Sequence, residues 1–135
     1  MEVRELVGGS AQMCESSTTI AEAAAAMIAA GVGSLGVPGP TGLAGIVTER
    51  DVLRAVASGV DLGVDRVTDW MTHDPDTVDE DLSVDEAAEW MVAAGYRHLP
   101  VLSGGQLIGI ASIKDVLWGV TEYRARLQAE NRTDD

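Results

Sequence analysis

Gly45-Ile46-Val47-Thr48-Glu49-Arg50-Asp51-Val52-Leu53 returns sixty-four positions later as Gly109-Ile110-Ala111-Ser112-Ile113-Lys114-Asp115-Val116-Leu117. The same offset carries outward. Glu22-Ala23-Ala24 meets Glu86-Ala87-Ala88, Met27 meets Met91, Ala29-Ala30-Gly31 meets Ala93-Ala94-Gly95, and Leu35 and Val37 meet Leu99 and Val101. Between 20–56 and 84–120 the identities are 16 of 37 with no gap. The register also holds back to Val3 and Val67. A fixed period of this kind is the signature of a duplicated supersecondary unit. The chain is therefore two copies of one unit, 3–56 and 67–120, joined by a Gly- and Asp-containing linker at 59–65.

Each copy reads alike. Thr19-x-x-Glu22 and Ser83-x-x-Glu86 are capping boxes that open a helix. Gly31 and Gly95 stop those helices. Apolar strands follow at 34–37 and 98–101, then turns at 38–42 and 103–105, then second strands at 43–47 and 107–111. A last helix starts near Glu49 and Ile113. The second of these runs on past Tyr123 before a polar tail, 131–135, frays. Short elements near Met13-Cys14 and Thr77-Val78 complete a β-α-β-β-α order. A unit of about 54 residues is marginal alone. Two can bury one sheet face against the other about a pseudo-two-fold axis. The expected architecture is an α+β fold of tandem repeats, 3–60 and 67–124, with a C-terminal helical extension and tail at 125–135.

Composition narrows the function. The net charge is −13, so phosphate-rich nucleic acid and anionic lipid are disfavoured partners. No apolar run approaches the ~20 residues of a membrane span. Cys14 is the lone cysteine, which excludes an intramolecular disulfide and fits a reducing compartment. With only His73 and His98 beside it, it builds no structural zinc site. The first residues lack the pattern of a signal peptide, so a cytoplasmic location is expected. Seven acids fall within 74–86, but their spacing does not fit an EF-hand, and acids near a helix start are favourable without a ligand. No Ser-His-Asp or Cys-His arrangement stands out, and an enzyme is not expected.

The order of these motifs resembles a cystathionine-β-synthase (CBS) domain pair, often called a Bateman module. The resemblance is carried by Glu86-Ala87-Ala88, by Tyr96-Arg97-His98-Leu99-Pro100-Val101, by Leu107 through Leu117, by Gly45 through Leu53, and by Val67-Thr68-Asp69-Trp70-Met71-Thr72. It covers nearly the whole chain except the tail. It implies a cleft between the repeats with two possible sites, an adenosine-containing ligand (AMP, ADP, ATP or S-adenosylmethionine), and a disc-shaped homodimer. No cofactor is required.

The resemblance also assigns roles. Asp51 and Asp115 would hold ribose hydroxyls, with Thr48 and Ser112 against phosphate. A carboxylate can accept two hydroxyl donors of a cis-diol, and a hydroxyl with free N–H groups at a helix start suits a phosphate. The same Thr/Ser-x-x-Asp spacing also describes a helix cap that needs no ligand, and the two roles are compatible. Arg97 and His98 would face phosphate from a strand. Lys114, like Arg50, precedes the shared Asp, where it can neutralise phosphate or simply be solvated. Thr77 and Val78 would touch the base through backbone groups, and Tyr96 would offer a flat face to an adenine ring. The first copy departs from this set, with Gly33-Ser34 in place of Arg97-His98 and Met13-Cys14 in place of Thr77-Val78. The expected function is a regulatory ligand sensor that signals in trans to a protein target. The alternative is a ligand-independent dimerisation scaffold.

Overall fold

The computed structural model describes residues 1–8 and 11–133. A 3-10 turn (Val3–Glu5) comes first. The first repeat then supplies helix α1 (Ile20–Ala30), strands β1 (Ser34–Gly39) and β2 (Gly42–Thr48), and helix α2 (Glu49–Ala57). The second supplies α3 (Val67–Trp70), β3 (Thr72–His73), β4 (Val78–Asp79), α4 (Val84–Ala94), β5 (His98–Ser103), β6 (Gln106–Ser112) and α5 (Ile113–Thr133). The helix ends follow the local chemistry. Thr19 Oγ accepts from the Glu22 N–H at 3.2 Å while the Glu22 carboxylate turns back to the Thr19 N–H at 3.4 Å. At Ser83 the box is half made: its hydroxyl accepts from the Glu86 N–H at 3.1 Å, and no return bond is found among the described residues. Gly31 and Gly95 close α1 and α4 in the left-handed conformation, φ 68° and 75°, where a residue without Cβ carries no steric penalty. α5 continues through Thr133 rather than fraying from Asn131, and the expected tail's last two residues lie outside the described ones.

The strands form two three-stranded sheets, β1-β2-β3 and β4-β5-β6. The antiparallel hairpins β1–β2 and β5–β6 match residue for residue. Leu35 faces Val47 as Leu99 faces Ala111, and each hairpin shifts register at the same place, Val37/Pro38 and Val101/Leu102. β4 runs parallel to β5, whereas its counterpart in the first half shrinks to one bridge between Met13 and Gly36. Each half has its own core, one around Ile20, Met27, Leu35 and Val37, the other around Val84, Met91, Leu99 and Val101.

The packing adds what the repeat boundaries do not specify. Periodicity assigns Val3 to the first unit and Val67 to the second, but each lies in the other's core, fully buried. The Val3 N–H donates to Leu82 O at 2.8 Å and the Val84 N–H to Met1 O at 2.9 Å. Reciprocally, the Val67 N–H donates to Thr18 O at 2.9 Å and the Ile20 N–H to Asp65 O at 3.0 Å. The leading segments of the two repeats are thus exchanged. Each crosses the partner hairpin at a glycine. A Cβ on Gly109 would lie 2.5 Å from Val7 Cβ, and one on Gly45 would lie 2.6 Å from both Met71 Sδ and the Thr72 carbonyl. β3 pairs antiparallel with β2 at this crossing, through Gly45–His73 and Ile46–Thr72. No helix among the described residues is long and apolar enough to cross a membrane.

Urea unfolding tests the crossing. Gly45→Ala meets backbone as well as side chain, so it should cost about 1–3 kcal/mol, the usual range for overpacking. Gly63→Ala, whose Cβ would meet only Asp61 Oδ1 at an ordinary 3.4 Å, should change stability by less than about 0.5 kcal/mol. Equal effects of the two would contradict the crossing.

Candidate functional site

The exchanged segments leave two clefts along the seam between the halves. The larger has a volume of about 1090 Å³. Leu6–Gly8 and Gln12 of the first leading segment line it together with 31–34, the start of α2 at Glu49 and Arg50, the start of α5 from Ser112 to Asp115, and Arg97 and His98. The smaller, about 310 Å³, is lined by Ile46, Thr48, Thr72, 74–76 and 95–98. Adding 64 to Gly8, Gln12 and 31–34 gives Thr72, Asp76 and 95–98, and subtracting it from Ile110 and Ser112 gives Ile46 and Thr48. The two clefts are one site, duplicated with the fold.

The duplicated acids behave differently within that shared frame. Both open a helix as cap partners. The Thr48 N–H donates to Asp51 Oδ2 at 2.8 Å and the Ser112 N–H to Asp115 Oδ2 at 2.9 Å, while Thr48 Oγ and Ser112 Oγ accept the return bonds at 3.3 and 3.1 Å. Beyond this they diverge. Asp51 is buried and lines neither cleft, and its Oδ1 is 2.7 Å from Arg54 Nη2. Asp115 is half-buried on the wall of the larger cleft, and its Oδ1 has no hydrogen-bond partner among the described residues.

Three cations, Arg50, Arg97 and Lys114, converge on the larger cleft in a chain of net charge −13, with Glu49 and Asp115 among them. The smaller cleft is lined by Arg97 together with Asp74 and Asp76. His98 lines both clefts. Burial holds its imidazole below the ordinary value, against the opposing pull of Glu49, Asp51 and Asp115, and the charge on Arg97 adds to the depression. It is therefore neutral near pH 7 and available as one donor and one acceptor. Tyr96 stands at the smaller cleft with its hydroxyl donating to Asp76, a bond that holds the phenol above its usual value, and burial and the Asp76 charge act the same way. Its ring meets Trp90 edge-on, with centroids 5.7 Å apart and planes at 79°.

Of the residues singled out from the sequence, Arg97, His98, Ser112, Lys114 and Asp115 gather at the larger cleft, and Thr48, Tyr96, Arg97 and His98 at the smaller. Asp51 is withdrawn from both. Thr77 and Val78 line neither cleft. Val78 is buried in the second core, and its strand is committed to Val101. Sequence reasoning passed over Trp118 and Gln12, read Asp76 only as one of a run of acids, and left Arg50, like Lys114, between phosphate and solvent. Gln12 carries no signal, because only the tertiary crossing brings it to the cleft, whereas Trp118 follows Asp115 by three residues on α5 and so shares its face.

The CBS domain model matches residues 3–58 and 67–121. An uncharacterized 17.7 kDa protein of Acidianus ambivalens is 41% identical over 74% of the chain, which spans 61% of that protein's length. A CBS domain protein of Pyrobaculum aerophilum, solved in complex with AMP, aligns with a TM-score of 0.77 at 31% identity, covering 85% of this chain and 89% of that one. The CBS domain pair of protein MJ0100, solved with 5′-methylthioadenosine and S-adenosyl-L-methionine, aligns with a TM-score of 0.78 at 25% identity over 90% and 98% of the two chains. With two matched copies, exchanged leading segments and a duplicated cleft, this chain belongs to the CBS-domain family as a tandem pair.

Proposed function

We propose that the larger cleft binds the adenosine portion of a small regulatory molecule, AMP, ADP, ATP or S-adenosylmethionine, and that the chain acts as a sensor rather than an enzyme. The observation that carries this reading is Asp115. One carboxylate oxygen is held by the helix cap, which fixes the side chain, and the other is left to the cleft. A fixed acceptor of this kind suits the cis-diol of a ribose. Ser112 and the first N–H groups of α5 lie beside it, where a helix start attracts anions, and Arg50, Arg97 and Lys114 supply charge for phosphate. The AMP complex of the P. aerophilum relative and the adenosyl ligands of MJ0100 lend support from two ligand chemistries. The reading includes a cytoplasmic homodimer that passes its signal to a separate protein target, with neither nucleic acid nor membrane as partner.

A second reading, a scaffold that dimerises without a ligand, is favoured by Ile28 and Val92. These equivalent positions on α1 and α4 are 84% and 80% exposed. Unpartnered apolar side chains at matching places on two helices suit a symmetric contact.

A thermal-shift panel of AMP, ADP, ATP, NAD and S-adenosylmethionine separates the two. At a hundredfold excess over its dissociation constant, the ligand should stabilise the fold by about 2.7 kcal/mol, visible as a rise in Tm. No shift with any of them would favour the scaffold. Asp115→Ala should weaken binding about ten- to a hundredfold, the loss expected for hydrogen bonds to a charged group, whereas Thr77→Ala should leave affinity unchanged in titration calorimetry. Unaltered affinity in Asp115→Ala would contradict the assignment.

A further inference from the structure

We infer that Arg54 is a latch that closes the smaller cleft to a ribose-bearing ligand, so that each chain takes one such ligand although the fold duplicates the site. The inference rests on the reading of Asp115 given above. Arg54 is the position at which the two copies of the site differ most consequentially, because its equivalent in the second repeat is Trp118.

The geometry is specific to one half. Asp51 Oδ2 takes the Thr48 N–H at 2.8 Å and the Thr48 hydroxyl at 3.1 Å. Its remaining oxygen, Oδ1, takes Arg54 Nη2 at 2.7 Å, and the same nitrogen reaches Trp70 O at 3.4 Å. Trp70 is the equivalent of Leu6, which lines the larger cleft. The guanidinium therefore spans from α2 to the leading segment. It covers the carboxylate: the Asp51 side chain is 7% exposed. In the second half the indole of Trp118, a single-donor ring that forms no ion pair, stands at the larger cleft, and Asp115 remains accessible there.

The closed state also agrees with the rest of the smaller cleft. Asp74 and Asp76 line it, and Tyr96 is tied to Asp76. A ligand entering there must displace a charge-assisted bond before it reaches Asp51, and a phosphate group would meet two carboxylates against one arginine. Among the described residues no ion pair or hydrogen bond engages Asp115 Oδ1. The Arg54 side chain is 59% exposed but its partner is buried, so its loss leaves Asp51 held by the Thr48 cap alone and should lower stability, which a urea titration of each variant reads before the calorimetry.

Titration calorimetry of the full chain with AMP, and separately with S-adenosylmethionine, tests this. Wild type should bind one equivalent per chain. Arg54→Leu, which keeps an apolar stem and removes the guanidinium, should bind a second equivalent at least about tenfold tighter than any second event in wild type. Arg54→Gln should do the same, which guards against a folding defect of the leucine variant. Adding Asp51→Asn to either should remove the gain, while Asp115→Ala should weaken the original event about ten- to a hundredfold and leave the gained one. Two tight equivalents in wild type, or no gain in both Arg54 variants, overturns the latch. Absence of any binding to wild type would instead strike the functional reading of the larger cleft, and a gain in the Arg54 variants would still support the latch in that case.

Discussion

The approach of Val7 to Gly109, and of Met71 and Thr72 to Gly45, is the contact on which the molecule depends. Any side chain at either glycine would occupy space already filled by the leading segment of the other repeat. With glycine there, each leading segment can cross and place a valine, Val3 or Val67, in the opposite core. Neither repeat then completes its own core, so the two halves are bound to fold as one domain. The crossing also makes the clefts. Leu6–Gly8 and Thr72 enter the two cleft walls because the segments that carry them have been passed across the seam.

On this duplicated scaffold the chemistry is unequal. The backbone register, the bulge positions, the left-handed glycines and the Thr/Ser–Asp caps recur at a spacing of 64 residues. The charges do not. Arg50, Arg97 and Lys114 converge on one cleft, while Asp74 and Asp76 stand at the other. Arg97 and His98 lie between them and belong to both, because the first repeat has only Gly33-Ser34 at their place. The Gly33 position is not empty space. The Glu49 carboxylate lies over it, so that a Cβ there would be 3.2 Å from Glu49 Oε1. Duplication supplied two equal pockets, and substitution at a few surface positions has given them different electrostatics without disturbing the core.

Much of this was legible in the sequence because it is local. Capping spacings, glycine stops and alternating apolar strands each act within a few residues, and so Thr19, Gly31, Gly95 and both hairpins fall where their neighbours dictate. The exchange was not legible. Val3 and Val67 carry the same residue in the same register, and no local preference tells a valine which of two similar cores it will enter. For the same reason the sites were only partly visible. Ser112, Lys114 and Asp115 are marked by a motif, whereas Gln12 reaches the cleft through the tertiary crossing alone. Asp51 carries the same motif as Asp115, but an arginine three residues on engages it, a difference that appears only when the two carboxylates are compared atom by atom. Thr77 and Val78 lie outside both cleft linings, with Val78 in the second core.

The central claim is that the duplicated fold keeps its adenosine chemistry at one of two equivalent clefts. The most direct measurement is a crystal structure of the chain grown with AMP. The account predicts density in the larger cleft, with the ribose hydroxyls on Asp115 and the phosphate toward Ser112 and Lys114. It also predicts that the Arg54–Asp51 pair stays intact beside an empty smaller cleft. AMP bound at Asp51, with Arg54 swung away and the larger cleft vacant, would contradict it.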